Sequence, residues 1–163
     1  MCIEVSGEYR NSLSLAEVAY LAGLIDGEGT IGIYRQTGTK SYSLKLRITN
    51  SSPALLQWLR PRFGGGVGKA RKQRPWHRQT WQIVIYQEKA AELIELCRPF
   101  LVIKTAQADL GLRFIDEISR SKRHRVTDAE FELRQRYFDA MSELNHEIHE
   151  TPTDYRAKER HVA

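Results

Sequence analysis

Only two cysteines, Cys2 and Cys97, occur in the 163 residues, far apart and without the spacing of a zinc or disulfide framework. A reducing compartment is the expectation, and neither thiol is given a functional role. No apolar run approaches the roughly 20 residues that a membrane span needs. Met1-Cys2-Ile3-Glu4 is not a basic start followed by an apolar stretch, so an intracellular protein with no membrane partner is expected. The hydrophobic fraction of 41% argues against a disordered chain and for one folded domain.

The most informative absence is of acid. Between Gly29 and Gln87 there is no Asp or Glu, yet this stretch holds 11 of the 25 Lys and Arg residues. The rest of the chain is left with 14 cations against 20 carboxylates, so the net charge of +5 conceals a strongly basic segment in an acidic remainder. A solvated surface normally mixes both signs, and such segregation points to a polyanion-binding surface.

What is present reads as alternating helices and hairpins. Ser14-Leu15-Ala16-Glu17 has the form of a capping box and opens a helix expected over 15–25. Val18, Leu21 and Ile25 make one stripe of it, and Ala19, Ala22 and Gly23 a second stripe of small residues. That stripe fits either an ordinary core helix or one that packs against its own copy. Residues 30–36 and 41–49 alternate as two strands of a hairpin, with Tyr42, Leu44, Leu46 and Ile48 on one face and Lys45 and Arg47 on the other. A short helix capped by Ser52 buries Leu55, Leu56 and Leu59 and is expected to stop at Pro61 and Gly64-Gly65-Gly66. A second hairpin covers 67–73 and 78–86, with Lys69, Arg71 and Gln73 on one face. Helices over 88–97 and 105–118 follow, Pro99 breaking the chain between them. Thr127-Asp-Ala-Glu130 caps a last helix. The domain is expected to span 1–145, with 146–163 a polar tail that frays. His146 and His149 have a metal-compatible spacing but no further ligands at diagnostic positions.

The first helix ends in Leu21-Ala22-Gly23-Leu24-Ile25-Asp26-Gly27-Glu28-Gly29. Two carboxylates at a helix C-terminus oppose the helix dipole, which suggests a compensating cation. Glu28 and the Gly27 carbonyl offer hard oxygen ligands suited to Mg²⁺. A plain helix terminus fits the same residues.

The segment 21–29 resembles the signature of the LAGLIDADG homing endonucleases, differing from it at Gly27 and Glu28. The resemblance extends over most of the chain through the order αββαββα followed by further helices. It implies an α+β fold with a curved antiparallel sheet saddle and extra C-terminal helices. One copy of the motif implies a homodimer, with Ala19, Ala22, Gly23 and Asp26 at its interface and the two Glu28 carboxylates adjacent. The resemblance further implies a catalytic set of Glu28, Asn50 and Lys104, with metal held at Glu28 and Gly27 and a more structural role for Asp26 at the helix end. Mg²⁺ is the implied cofactor, and Mn²⁺ or Ca²⁺ could occupy the same place. Where some members carry an additional Arg, this chain has Ala54 or Leu55, and Arg47 and Arg78 are the candidates to replace it.

The implied activity is site-specific hydrolysis of both strands of a long pseudo-palindromic duplex DNA. By alternation the recognition surface comprises Gly32, Tyr34, Gln36, Ser41, Ser43, Lys45, Arg47, Lys69, Arg71, Gln73, Arg78, Thr80 and Gln82, with Lys40 facing phosphate. A one-residue slip of the last strand would exchange Thr80 and Gln82 for Trp81 and Ile83. Two rivals share the scaffold: a splicing maturase with intron RNA as partner, and a DNA-binding regulator without catalysis. An organelle (chloroplast or mitochondrion) and a bacterial cytoplasm are equally compatible with the chain.

Overall fold

The computed structural model describes residues 13–70, 76, 78–120 and 126–147. The capping box at Ser14 forms as expected: Ser14 N donates to Glu17 Oε2 (2.9 Å) and Glu17 N donates to Ser14 Oγ (3.3 Å). Helix α1 then runs over Leu15–Glu28, three residues further than the pattern suggested. It stops at Gly29, which turns to extended backbone while its N–H still bonds the Ile25 carbonyl. Only glycine fits there, because a Cβ would lie 2.6 Å from the Ile25 Cα and carbonyl oxygen. The chain thus passes from helix to strand without a linker, and Asp26, Gly27 and Glu28 occupy the last helical turn.

Strands β1 (Gly29–Arg35), β2 (Tyr42–Asn50), β3 (Gly66–Lys69) and β4 (Trp81–Tyr86) form one antiparallel sheet in the order β1-β2-β4-β3. Register decides which side chains share a face. Ile31, Leu46 and Ile85 align across the sheet, as do Gly32, Lys45 and Tyr86. The first row is buried in the core, whereas Lys45 is half-buried and Tyr86 exposed on the opposite face. Gln82 pairs with Thr49 and Ile83 with Ile48, so the last strand is not slipped by one residue.

Helices α2 (Pro53–Phe63), α3 (Gln87–Cys97), α4 (Thr105–Arg120) and α5 (Asp128–Glu147) complete the fold, with a 3₁₀ turn at Arg98–Phe100. The core joins α1, the inner sheet face, α3 and the later helices through Leu21, Ile25, Leu44, Leu93, Phe114 and Met141. α5 lies against β1 and carries Phe131 and Phe138 onto Tyr42, whose hydroxyl donates to Gln135 Oε1. Gly111 lets α4 approach β2, since a Cβ there would come within 2.9 Å of Leu44 Cδ1. No helix among the described residues is long and apolar enough to cross a membrane.

Several local expectations are corrected. Pro61 does not end α2, which continues to Phe63; burying that ring outweighs the one lost backbone bond, and Gly64, at φ 69, is the stop. Ser52 makes no side-chain cap; its N–H instead donates to Asn50 Oδ1 at 2.8 Å. Leu55 is only half-buried. Lys69 pairs with Trp81 and lies on the face of Val67 and Ile83, opposite the cationic face, because β3 is half glycine and carries no polar–apolar alternation to read. Ala22 is fully buried in the chain's own core, so it is not part of an exposed small-residue stripe. The last helix extends through Glu147, past the expected boundary at 145. Arg71, Gln73 and His149 lie outside the described residues.

Candidate active site and nucleic-acid interface

The helix-to-strand junction of α1 and β1, the end of β2 and the start of α4 converge on an open cleft of about 580 Å³. Glu28, Asn50 and Lys104, far apart in sequence, all line it, together with Gly27. Thr30, Thr49, Thr80 and Asn145 contribute further polar groups.

Asp26 organises this cleft. Its Oδ2 accepts from the backbone N–H of Val102 (2.7 Å) and Ile103 (3.3 Å), and its Oδ1 from that of Lys104 (3.0 Å). These amides immediately precede α4, whose first backbone bond is accepted by the Lys104 carbonyl. The carboxylate therefore sits at the unfavourable end of one helix dipole and the favourable end of another. Amides, rather than a cation, satisfy Asp26.

Lys104 is buried, and its Nζ donates to the main-chain carbonyl of Asp26. Burial pushes its pKa below the ordinary lysine value, with the Asp26 carboxylate opposing the shift. Asn50 spends its Oδ1 on Ser52 N, which fixes the plane of the amide and leaves Nδ2 without a partner among the described residues. Glu28 is exposed in the last turn of α1, with no hydrogen-bond or ion-pair partner among the described residues.

That donor set suits a divalent cation only in part. No cluster of three or more His, Cys, Asp or Glu occurs among the described residues, so these side chains alone form no complete cage there. One unpaired carboxylate beside the Gly27 backbone does fit a hard cation that keeps waters and takes further oxygens from substrate. Neither Arg47 nor Arg78 lines the cleft, and the cation there is Lys104.

The outer sheet face meets the cleft at its edge. Gly32, Tyr34, Ser43, Lys45, Arg47 and Gln82 share that face by register, as expected. Gln36, Ser41 and Arg78 flank the strands and are exposed. Lys40 is already engaged by Asp128 of α5 and stands 5.6 Å over the Phe131 ring. Thr30, Val84 and Tyr86 also belong to this face, as the alternation of their strands requires. Asn145 carried no such signal. It reaches the cleft only because α5 docks along β1, where its Nδ2 donates to the Ile31 carbonyl at 3.0 Å.

By sequence the chain matches no family model and no curated protein. Its structure, however, is similar to solved structures of known activity. The homing endonuclease I-CvuI, in complex with a DNA target in the presence of Mg, aligns over 79% of this chain and 82% of its own, with a TM-score of 0.61 and 22% identity. The archaeal intron-encoded homing endonuclease I-Vdi141I, complexed with DNA, aligns over 79% and 84%, with a TM-score of 0.61 and 14% identity. The LAGLIDADG meganuclease I-AabMI, bound to uncleaved DNA, aligns over 69% of this chain but only 40% of its own, with a TM-score of 0.55 and 21% identity. The element order, the four-stranded antiparallel sheet and the nine-residue segment ending α1 agree on one conclusion: this chain has the LAGLIDADG homing endonuclease fold.

Proposed function

We propose that this protein is a homodimeric, divalent-metal-dependent endonuclease that recognises a long pseudo-palindromic duplex and hydrolyses both strands. The observation that carries the reading is the convergence of Glu28, Asn50 and Lys104 on one cleft at the edge of a cationic sheet face. A pure DNA binder has no use for an unpaired carboxylate at that place, since it repels phosphate. The neighbouring folds, solved with DNA, support the same substrate class.

Glu28 and the Gly27 carbonyl would hold Mg²⁺, which when bound stabilises charge on the phosphodiester oxygens. Asn50 then donates from Nδ2 to the attacking water and sets its approach in line with the scissile P–O bond. The water oxygen bonds to phosphorus and gives up a proton to solvent as that bond breaks, and the leaving oxygen takes a proton from solvent. The Lys104 ammonium, held against the Asp26 carbonyl, opposes the negative charge that develops during transfer. For that role Lys104 must be protonated, and burial has lowered its pKa. The alkaline limb of the pH–rate profile is therefore expected below the ordinary lysine value, and Lys104→Arg should move it upward. A limb unchanged by that substitution would remove Lys104 from the charge-stabilising role.

A second copy is supported by α1. Its exposed face carries Leu15, Ala16, Ala19, Tyr20, Gly23 and Gly27, and nothing lies within 4 Å of a Cβ built at either glycine. At Gly23, inside the helix, glycine costs about 0.5–1 kcal/mol relative to alanine, and nothing within the chain requires it there. Close approach of another backbone does. Val102 and Ile103, 83% and 55% exposed, extend that apolar surface beside Asp26.

The test is selection from plasmids carrying long randomised inserts, with Mg²⁺ or EDTA, alongside sedimentation of the free protein. A pseudo-palindromic site cut only with metal, by a protein that sediments as a dimer, is the expected result. Site-specific binding without cleavage would favour the regulator or the intron-RNA maturase, and a monomer on DNA would overturn the dimer.

A further inference from the structure

The outer sheet face contains a cluster whose arrangement goes beyond a general DNA-facing surface. The Tyr34 ring does not stand away from β1 but folds back along it over Gly32: a Cβ at Gly32 would lie 2.7 Å from Tyr34 Cε2. Two cations of β2 flank this ring. Lys45 Nζ is 4.7 Å from its centroid and Arg47 Cζ is 5.4 Å from it, while the Tyr86 ring takes Lys45 from the other side at 5.3 Å. Neither cation has an ion-pair or hydrogen-bond partner among the described residues, and Arg47 Nε is buried with none. Aromatic faces are therefore what restrain both side chains.

We propose that Tyr34 is a positioning residue for base recognition: its ring, made possible by Gly32, holds Lys45 and Arg47 as a pre-aligned pair of donors for guanine edges in the major groove. The inference rests on the DNA-binding reading above and names what that site reads. Lys45 and Arg47 are alternate residues of one strand, so they emerge about 6.8 Å apart. Base pairs rise about 3.4 Å, which places the two contacts about two base pairs apart in each half-site. Lysine and arginine are both donors matched to guanine O6 and N7. Long, flexible cations discriminate poorly when free to reach phosphate, and restraint by the ring removes that freedom.

The probe is a randomised duplex library bound in EDTA by the full-length protein, read as base preference at each position. Lys45→Ala and Arg47→Ala identify the two positions each side chain reads. Tyr34→Leu is expected to lower guanine preference at both by about three- to tenfold, because the ring face is lost. Gly32→Ala, which leaves the ring present but displaced, should do the same, whereas Tyr34→Phe should keep the wild-type profile. Thermal unfolding of each variant controls for the fold. An unchanged profile in Tyr34→Leu, or an equal loss in Tyr34→Phe, overturns the positioning role while site-specific binding stands. A wild-type protein without base preference at any position overturns both this role and the reading it rests on.

Discussion

Glu28→Gln should cut no target at a measurable rate, a loss of about 10³-fold or more, while binding the same DNA in EDTA as tightly as wild type or tighter. The two halves of this expectation have one cause. Glu28 lines the cleft with no partner among the described residues and sits at a helix C-terminus, where the dipole already disfavours its charge. Without a metal it only repels phosphate, so neutralising it relieves repulsion. With a metal it is the one carboxylate of the cleft not already spent on backbone amides, so the amide that replaces it leaves the cation without an anionic ligand. Gel-shift binding in EDTA and single-turnover cleavage in Mg²⁺ separate the two effects. Cleavage that survives the substitution would move the metal elsewhere and leave Glu28 as a helix terminus.

Asp26→Ala should destabilise the protein by about 3 kcal/mol, and cleavage should fall with it. Three backbone N–H groups converge on this carboxylate from a segment 76 to 78 residues away, and they are the entry to α4. Hydrogen bonds to a charged acceptor contribute about 1.5–3 kcal/mol each when shielded. Val102 and Ile103 are exposed, so water recovers part of the loss, and the total falls short of three full bonds. Lys104 follows the same segment and loses its position in the cleft. Asp26→Asn retains one acceptor oxygen but turns an NH₂ toward the amides, and an intermediate loss is expected. Urea unfolding gives the stability, and hydrogen exchange at 102–104 reports the clamp directly. Exchange at those amides unchanged in Asp26→Ala would show that other groups hold the turn.

Both substitutions fall within a nine-residue segment, yet the residues that hold Asp26 in its structural role could not be read there. The segment 21–29 pointed to Glu28 through its chemistry, since two carboxylates flanked by glycines at a helix end demand an explanation. The partner of Asp26 was not legible, because nothing local says that residues 102–104 arrive beside it. The compensating group expected for both acids was a cation, and for Asp26 it is backbone amide.

What the sequence by itself determined is whatever acts over a few residues. The capping boxes at Ser14 and Thr127, the alternation of β2 and the inward Ile83 and Ile85 follow from side-chain hydrogen bonding and the two-residue period of a strand. The segregation of positive charge into 29–87 is likewise local and needs no coordinates. The tertiary structure decided what depends on distant partners. It put Ala22 inside rather than on the α1 surface, carried α2 past Pro61 to bury Phe63, and turned Lys69 away from the cationic face. It brought Asn145 to the cleft and laid Tyr34 between Lys45 and Arg47. In each case the deciding energy is burial or pairing between segments far apart in the chain. Short-range periodicity cannot encode such a contact, and a glycine-rich strand such as β3 has almost no periodicity to offer.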